Sequence, residues 1–312
     1  MHWPQPGVRH VNNPDRTNRL AEIRRQSPEC EPWLGLLEAV LSECDDRPGW
    51  KAAVPKPAAG RPVKAPLLHG ARITMDGGAV RRLVRGLLRR AGRQNGDARP
   101  LAGVRARRID AVALLEAALC QDDARIDTLA ATAGADPHAL RVVGQMAAVP
   151  LLQACARALQ VEVSPAWWEG YCPVCGAWPA LAELRGLERK RWLRCGRCSA
   201  GWELPLLRCP FCDEMHHDNL GYLAPEESQS TRRVEVCKTC AGYLKVEATV
   251  RALPPWAVLL DDLATLPLDV AALERGYARP ARPGYPLEAR ISERRRGLLR
   301  GGVRLVFGGR RA

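Results

Sequence analysis

Eight of the twelve cysteines stand as four Cys-x-x-Cys pairs: Cys172/Cys175, Cys195/Cys198, Cys209/Cys212 and Cys237/Cys240. A two-residue gap lets a tight turn aim both thiolates at one ion while backbone amides remain free to donate to the sulfurs. Two such knuckles complete a tetrahedral four-sulfur shell, the geometry of zinc or of iron held by four cysteines. Nineteen residues separate the first pair from the second and twenty-four the third from the fourth, enough for a hairpin or short sheet to fold back on its own knuckle. Only ten separate the second from the third. The expected metal ligands are therefore Cys172, Cys175, Cys195 and Cys198 in one site, and Cys209, Cys212, Cys237 and Cys240 in another. Pro173 and Pro210 help the first and third turns, and Gly176 can take the left-handed backbone that follows a second cysteine. A thioredoxin-like reading would need a pair opening a helix after a strand, a context that none of the four has.

No catalytic or organic-cofactor constellation stands out beside these. Cys30, Cys44, Cys120 and Cys155 lie singly on helical patterns and read as small core residues. His216-His217 follows the third knuckle closely, but the thiolate count is complete without it, so it reads as a surface loop. Asp261-Asp262 would point apart on a helix and reads as a solvated face.

The formal charge of +13 invites a nucleic-acid reading, but its distribution argues against one. Residues 1–168 carry 24 Lys and Arg against 17 Asp and Glu, residues 169–278 carry 13 against 15, and the last 34 residues carry 10 against 2. The cysteine-rich region is thus slightly acidic. No charged segment followed by an apolar run marks a secretory signal, and no uncharged stretch approaches the roughly 18 residues that span a bilayer. Paired free thiols fit a reducing compartment, so the expectation is a cytoplasmic protein with no membrane insertion.

The elements that must position the cysteines follow from periodicity. Two short helices broken near Ser27-Pro28 are expected between Pro14 and Cys44, then a proline-rich linker or surface wrap from Arg47 to Pro66. Helical stripes resume at Ala79–Ala91 and from about Arg107 to Leu119. Asp136-Pro137 reads as an N-cap with proline at the first helical position, opening a long helix to Leu159 with a kink at Pro150. Short β-like runs follow at 192–194, 201–204, 234–236 and 243–246, and a helical pattern returns after Pro254-Pro255. The fold class is α+β: a disordered N-terminus (1–13), an all-helical domain (14–168), two tandem rubredoxin-like or zinc-ribbon tetrathiolate modules (169–206 and 207–250), a helical segment (251–280) and a flexible basic tail (281–312).

The words around the cysteines narrow this further. Tyr171-Cys-Pro-Val-Cys-Gly176, Trp192-Leu-Arg-Cys-Gly-Arg-Cys198, Arg208-Cys-Pro-Phe-Cys212 and Glu235-Val-Cys-Lys-Thr-Cys-Ala-Gly-Tyr-Leu-Lys245 resemble the formate dehydrogenase accessory protein FdhE family. So do Asp261-Asp-Leu-Ala-Thr-Leu266, Leu268-Asp269 and Glu274-Arg-Gly-Tyr-Ala-Arg279, which lie outside any cysteine pair. The likeness covers about residues 170–280, and the arginine-rich extension beyond Arg279 departs from the usual family ending. It implies a cytoplasmic assembly factor rather than an enzyme. Such a factor is needed for activity of a respiratory molybdenum formate dehydrogenase exported by the twin-arginine pathway, and binds its catalytic subunit. It also implies two metal ions, iron of the rubredoxin type or zinc; self-association is compatible with it. A zinc-ribbon nucleic-acid-binding protein and a rubredoxin-like electron-transfer protein are the alternatives that spacing alone leaves open.

Overall fold

A computed structural model describes residues 14–45, 48–92, 108–224 and 231–294. The expectations for 1–13 and for the end of the basic tail fall outside these residues.

The helical part opens with α1 (Pro14–Gln26) and α2 (Glu31–Cys44), separated at Ser27-Pro28 by a 3-10 turn, and continues with the single turn α3 (Pro48–Lys51). After the strand β1 (Ala71–Met75) come α4 (Gly77–Ala91), α5 (Ala111–Cys120), α6 (Asp123–Ala133) and α7 (Pro137–Leu159). An aspartate caps each of the last four: Asp76, Asp110, Asp122 and Asp136 accept hydrogen bonds from the free amides of their helices' first turns. On α4, Val80, Leu83, Val84, Leu87 and Leu88 are buried at helical spacing. α7 runs unbroken through Pro150 and is the pillar of this part, packing against α2, α4, α5 and α6. With the turn that follows, it is long and apolar enough to cross a membrane, but 72% of its most apolar window is buried inside the protein.

The cysteine-rich part is one six-stranded sheet in the order β4-β3-β2-β7-β6-β5. Its strands are β2 (Pro179–Arg185), β3 (Lys190–Cys195), β4 (Gly201–Glu203), β5 (Leu220–Leu223), β6 (Arg232–Cys237) and β7 (Tyr243–Thr249). Each half is antiparallel. Parallel pairing of β2 with β7, from Leu181↔Lys245 to Arg185↔Thr249, fuses the halves across the boundary expected at residue 206. Helices α8 (Pro255–Ala264) and α9 (Leu266–Leu273) follow.

The last described segment corrects an expectation. Residues 281–294 were expected to belong to a flexible tail, but Ala289–Glu293 forms strand β8, paired in parallel with β1. The Trp178 indole donates to the Arg282 carbonyl at 2.8 Å, Leu287 and Ala289 are buried, and Arg81 grips both carboxylate oxygens of Glu293 at 2.8 Å. Arginine-rich composition hid a period-two pattern of only three apolar positions, Leu287, Ala289 and Ile291, whose partner strand lies more than 200 residues away.

Candidate metal centres

The four cysteine pairs form four closely similar knuckles. In each of the first three, the amide of the residue after the second cysteine donates to the carbonyl of the first, at 2.9, 3.0 and 3.1 Å. In all four, the first cysteine's own amide donates to the carbonyl five residues on, at 2.8–3.0 Å. The residue after each second cysteine is left-handed: Gly176 (φ 73°), Ser199 (59°), Asp213 (63°) and Ala241 (52°). Amides inside the turns point at sulfur: Val174 N–H at Cys172 Sγ, Arg197 N–H at Cys195 Sγ and Phe211 N–H at Cys209 Sγ, each 3.4 Å.

The knuckles meet in two clusters. Cys172, Cys175, Cys195 and Cys198 bring their sulfurs together, with separations of 3.4, 3.5 and 3.8 Å among them. Cys209, Cys212, Cys237 and Cys240 do the same, with Sγ–Sγ distances of 3.7 Å for Cys209–Cys240 and Cys212–Cys237. A tetrahedral ion with metal–sulfur bonds of about 2.3 Å needs edges of roughly 3.8 Å, so both donor sets have the size of a four-thiolate metal site.

Protonation points the same way. Burial pushes the Cys172 and Cys198 thiols well above the usual range. Burial also opposes ionisation of Cys195, yet hydrogen bonds from the other three thiols outweigh it and hold Cys195 well below that range. In the second cluster burial raises Cys209, and Cys240 up to about 11, while amide and thiol donors hold Cys237 low. A cation is what would let the thiols that burial holds neutral ionise. Such an ion would supply a fixed crosslink if zinc, and a one-electron couple as well if iron.

The clusters differ in access. All four cysteines of the first are buried, and they belong to the main hydrophobic core. Residues 66–68 cover them: Leu67 N–H donates to Pro173 O at 2.8 Å and Leu68 N–H to Val174 O at 3.1 Å. Next to them Tyr285 N–H donates to Gly176 O at 2.9 Å, and α7 reaches the second knuckle through Gln153, whose amide donates to Ser199 Oγ at 3.1 Å. The tryptophans crowded here fasten chain to chain: Trp202 donates to Glu169 O at 3.1 Å and Trp167 to Tyr171 O at 3.0 Å. In the second cluster Cys212 and Cys240 are exposed. Its apolar support is a satellite of Val234, Val236, Tyr243 and Ala272. Beside it a cleft of about 210 Å³ lies between Phe211, Val236 and the edge strand β5, with Leu206, Leu207 and Tyr222 exposed around it.

The remaining sequence candidates separate. Cys30, Cys44 and Cys155 are buried and Cys120 half-buried, none of them in a cluster. Asp261 and Asp262 do point apart, but neither is a merely solvated carboxylate. Asp261 is buried against Arg19, whose Nη2 lies 2.6 Å from Oδ1. Asp262 meets Lys245 and Arg279 at 2.7 Å each, and Asp269 meets the same two cations at 2.7 and 2.9 Å. Tyr243 donates to Asp269 at 2.6 Å. This network, clamping α8 and α9 onto β7, is made of residues from the stretches that follow the last knuckle. Sequence reasoning missed it because its five members span 37 positions with no shared periodicity.

The same segment carries the likeness to known proteins. Residues 207–283 match the family model described as FdhE, C-terminal domain. Over 111 residues the chain is 32% identical to Protein FdhE of Escherichia coli O127:H6 (strain E2348/69), the match covering 35% of each chain. Over 110 residues it is 36% identical to the Protein FdhE homolog of Edwardsiella ictaluri, again covering 35% of each. The match therefore spans about a third of the length of these curated relatives. The crystal structure of the FdhE protein from Pseudomonas aeruginosa is similar in fold, with a TM-score of 0.50 at 23% identity over 86% of this chain and 92% of that one. About a third of the chain, centred on its cysteine-rich C-terminal part, is thus similar in sequence to FdhE proteins, and most of its length is similar in fold to one of them.

Proposed function

We propose that this protein is a cytoplasmic metal-binding accessory factor, without catalytic activity of its own. It brings a respiratory, twin-arginine-exported molybdenum formate dehydrogenase to activity by binding its catalytic subunit before export. The observation that carries this reading is the FdhE likeness running past the last knuckle to residue 283, through the ion network as well as the thiolates. In it the eight cysteines of the four pairs ligate two ions, iron or zinc. The buried cluster joins the helical part to the sheet, and the surface around the exposed cluster, with Leu206, Leu207 and Tyr222, meets the client.

The test is an anaerobic pull-down from cells expressing the enzyme, comparing wild type with Cys172→Ala/Cys175→Ala and with Cys212→Ser/Cys240→Ser. Wild type is expected to retain the catalytic subunit. The exposed-cluster variant is expected to lose it while keeping its far-UV circular dichroism, so that loss of binding is separated from loss of fold. A wild type that retains nothing sinks the proposal. Anaerobic purification with metal analysis and a visible spectrum then decides the ion, and a full zinc load without iron removes any redox role.

A further inference from the structure

Beyond the third knuckle lies a group of side chains that neither thiolate cluster uses. His216, His217 and Asp218 sit at a short 3-10 turn, His217–Asn219. Its frame is held from two directions. The His216 amide donates to Glu214 Oε1 at 2.8 Å, and the Asn219 side-chain amide to Glu214 Oε2 at 3.0 Å. From the fourth knuckle, Lys238 donates its amide to Asn219 O at 2.8 Å and its ammonium to Asp218 O at 2.9 Å, and the Thr239 hydroxyl donates to Glu214. The Lys238 ammonium is thus turned onto a backbone carbonyl, while Glu214 adds a second carboxylate beside the histidines.

On this fixed frame the three side chains stand in solvent, 63%, 76% and 72% exposed. They converge all the same. His217 Nε2 lies 3.2 Å from Asp218 Oδ1, and His216 Nδ1 lies 3.7 Å from Asp218 Oδ2. The imidazoles stack with centroids 5.2 Å apart and planes 17° off parallel, and one donor atom from each residue lies within 4.8 Å of the other two. An ion with nitrogen and oxygen ligands at about 2.0–2.2 Å needs neighbouring donors roughly 3–3.6 Å apart. Two imidazoles and a carboxylate, with the other positions left to water, suit zinc, nickel, cobalt or ferrous iron.

We propose that His216, His217 and Asp218 form a third metal site, for an exchangeable first-row divalent cation, on the same face as the exposed thiolate cluster. This holds whether or not the accessory reading is right. The turn's hydrogen bonds pre-organise the donors, so binding costs little ordering of the backbone. Open positions and nitrogen–oxygen donors make the site weaker and faster than either four-thiolate cluster.

The test starts from full-length protein carrying two zinc ions per chain and titrates it with cobalt(II) chloride, using equilibrium dialysis, metal analysis and absorption spectra. One additional cobalt per chain is expected, with weak ligand-field bands, no sulfur-to-cobalt charge transfer and the zinc content unchanged. His216→Ala/His217→Ala and the more polar His216→Asn/His217→Asn are expected to keep two zinc ions and lose the added cobalt. Zinc retention shows in the same sample that the fold survives. No third equivalent in the wild type, a third equivalent that persists in both double variants, or cobalt entering only by displacing zinc would each overturn the site.

Discussion

At the scale of single residues, the knuckles place different demands on one position. Gly176 meets the left-handed requirement without strain, whereas Ala241 meets it with a side chain. A left-handed L-residue costs about 1–2 kcal/mol, and glycine's extra unfolded-state freedom returns about 0.5–1. Ala241→Gly should therefore stabilise the metal-loaded protein by about 0.5 kcal/mol in urea unfolding; a loss of stability would mean that the methyl makes contacts outweighing the strain. Cysteines outside the clusters are inert for another reason. Burial pushes Cys44 and Cys155 up to about 12, so both stay neutral thiols at pH 8. Alkylation of the native, metal-loaded protein at pH 8, read by peptide mass spectrometry, should leave both unmodified until denaturant is added.

At the scale of elements, close backbone approach joins the two cysteine-rich halves, and a buried ion pair ties the first half to the approach of α8. Gly170, just before the first knuckle, sits so close to Pro210 in the third that an added Cβ would overlap the Pro210 carbonyl. Gly170→Ala should cost about 1–3 kcal/mol by overpacking and raise hydrogen exchange across β5–β6–β7 more than in α7. Glu183 on β2 is fully buried, pairing with Arg194 of β3 and with Arg185 Nε at 2.7 Å, and it accepts the Leu253 amide at 3.2 Å. Arg194 in turn donates to Leu253 O at 2.9 Å and Ser199 O at 3.1 Å, tying the second knuckle to the approach of α8. Glu183→Ala leaves a buried guanidinium without its carboxylate and should cost about 3–5 kcal/mol in equilibrium unfolding. A cost below 1 kcal/mol would mean that water reaches the site.

At the scale of the whole molecule, one core encloses the first thiolate cluster and a small satellite supports the second. Release of an ion from the first requires the cover at 66–68 and 282–285 to open, whereas Cys212 and Cys240 already face solvent. A chromogenic chelator should therefore remove metal in two phases of one equivalent each. The fast phase should disappear in Cys212→Ser/Cys240→Ser, and the slow phase should follow the rate of global opening measured by hydrogen exchange. A single phase of two equivalents would show that the clusters open together.

The cysteine pairs, the N-caps at Asp136-Pro137 and the helical stripes were legible in the sequence, because each depends on neighbours within a turn or two of chain. So was the FdhE likeness, carried by short words around each knuckle. Parallel pairings of β2 with β7 and of β1 with β8 were not legible, since their partners lie more than 60 and 200 residues apart and local pattern does not record register. The sequence also made the two clusters look alike, each built from two Cys-x-x-Cys pairs. Only the tertiary structure made them different, because burial depends on what packs over a site: α7 and the crossing segments at 66–68 and 282–285 close one, and the edge of the sheet leaves the other open.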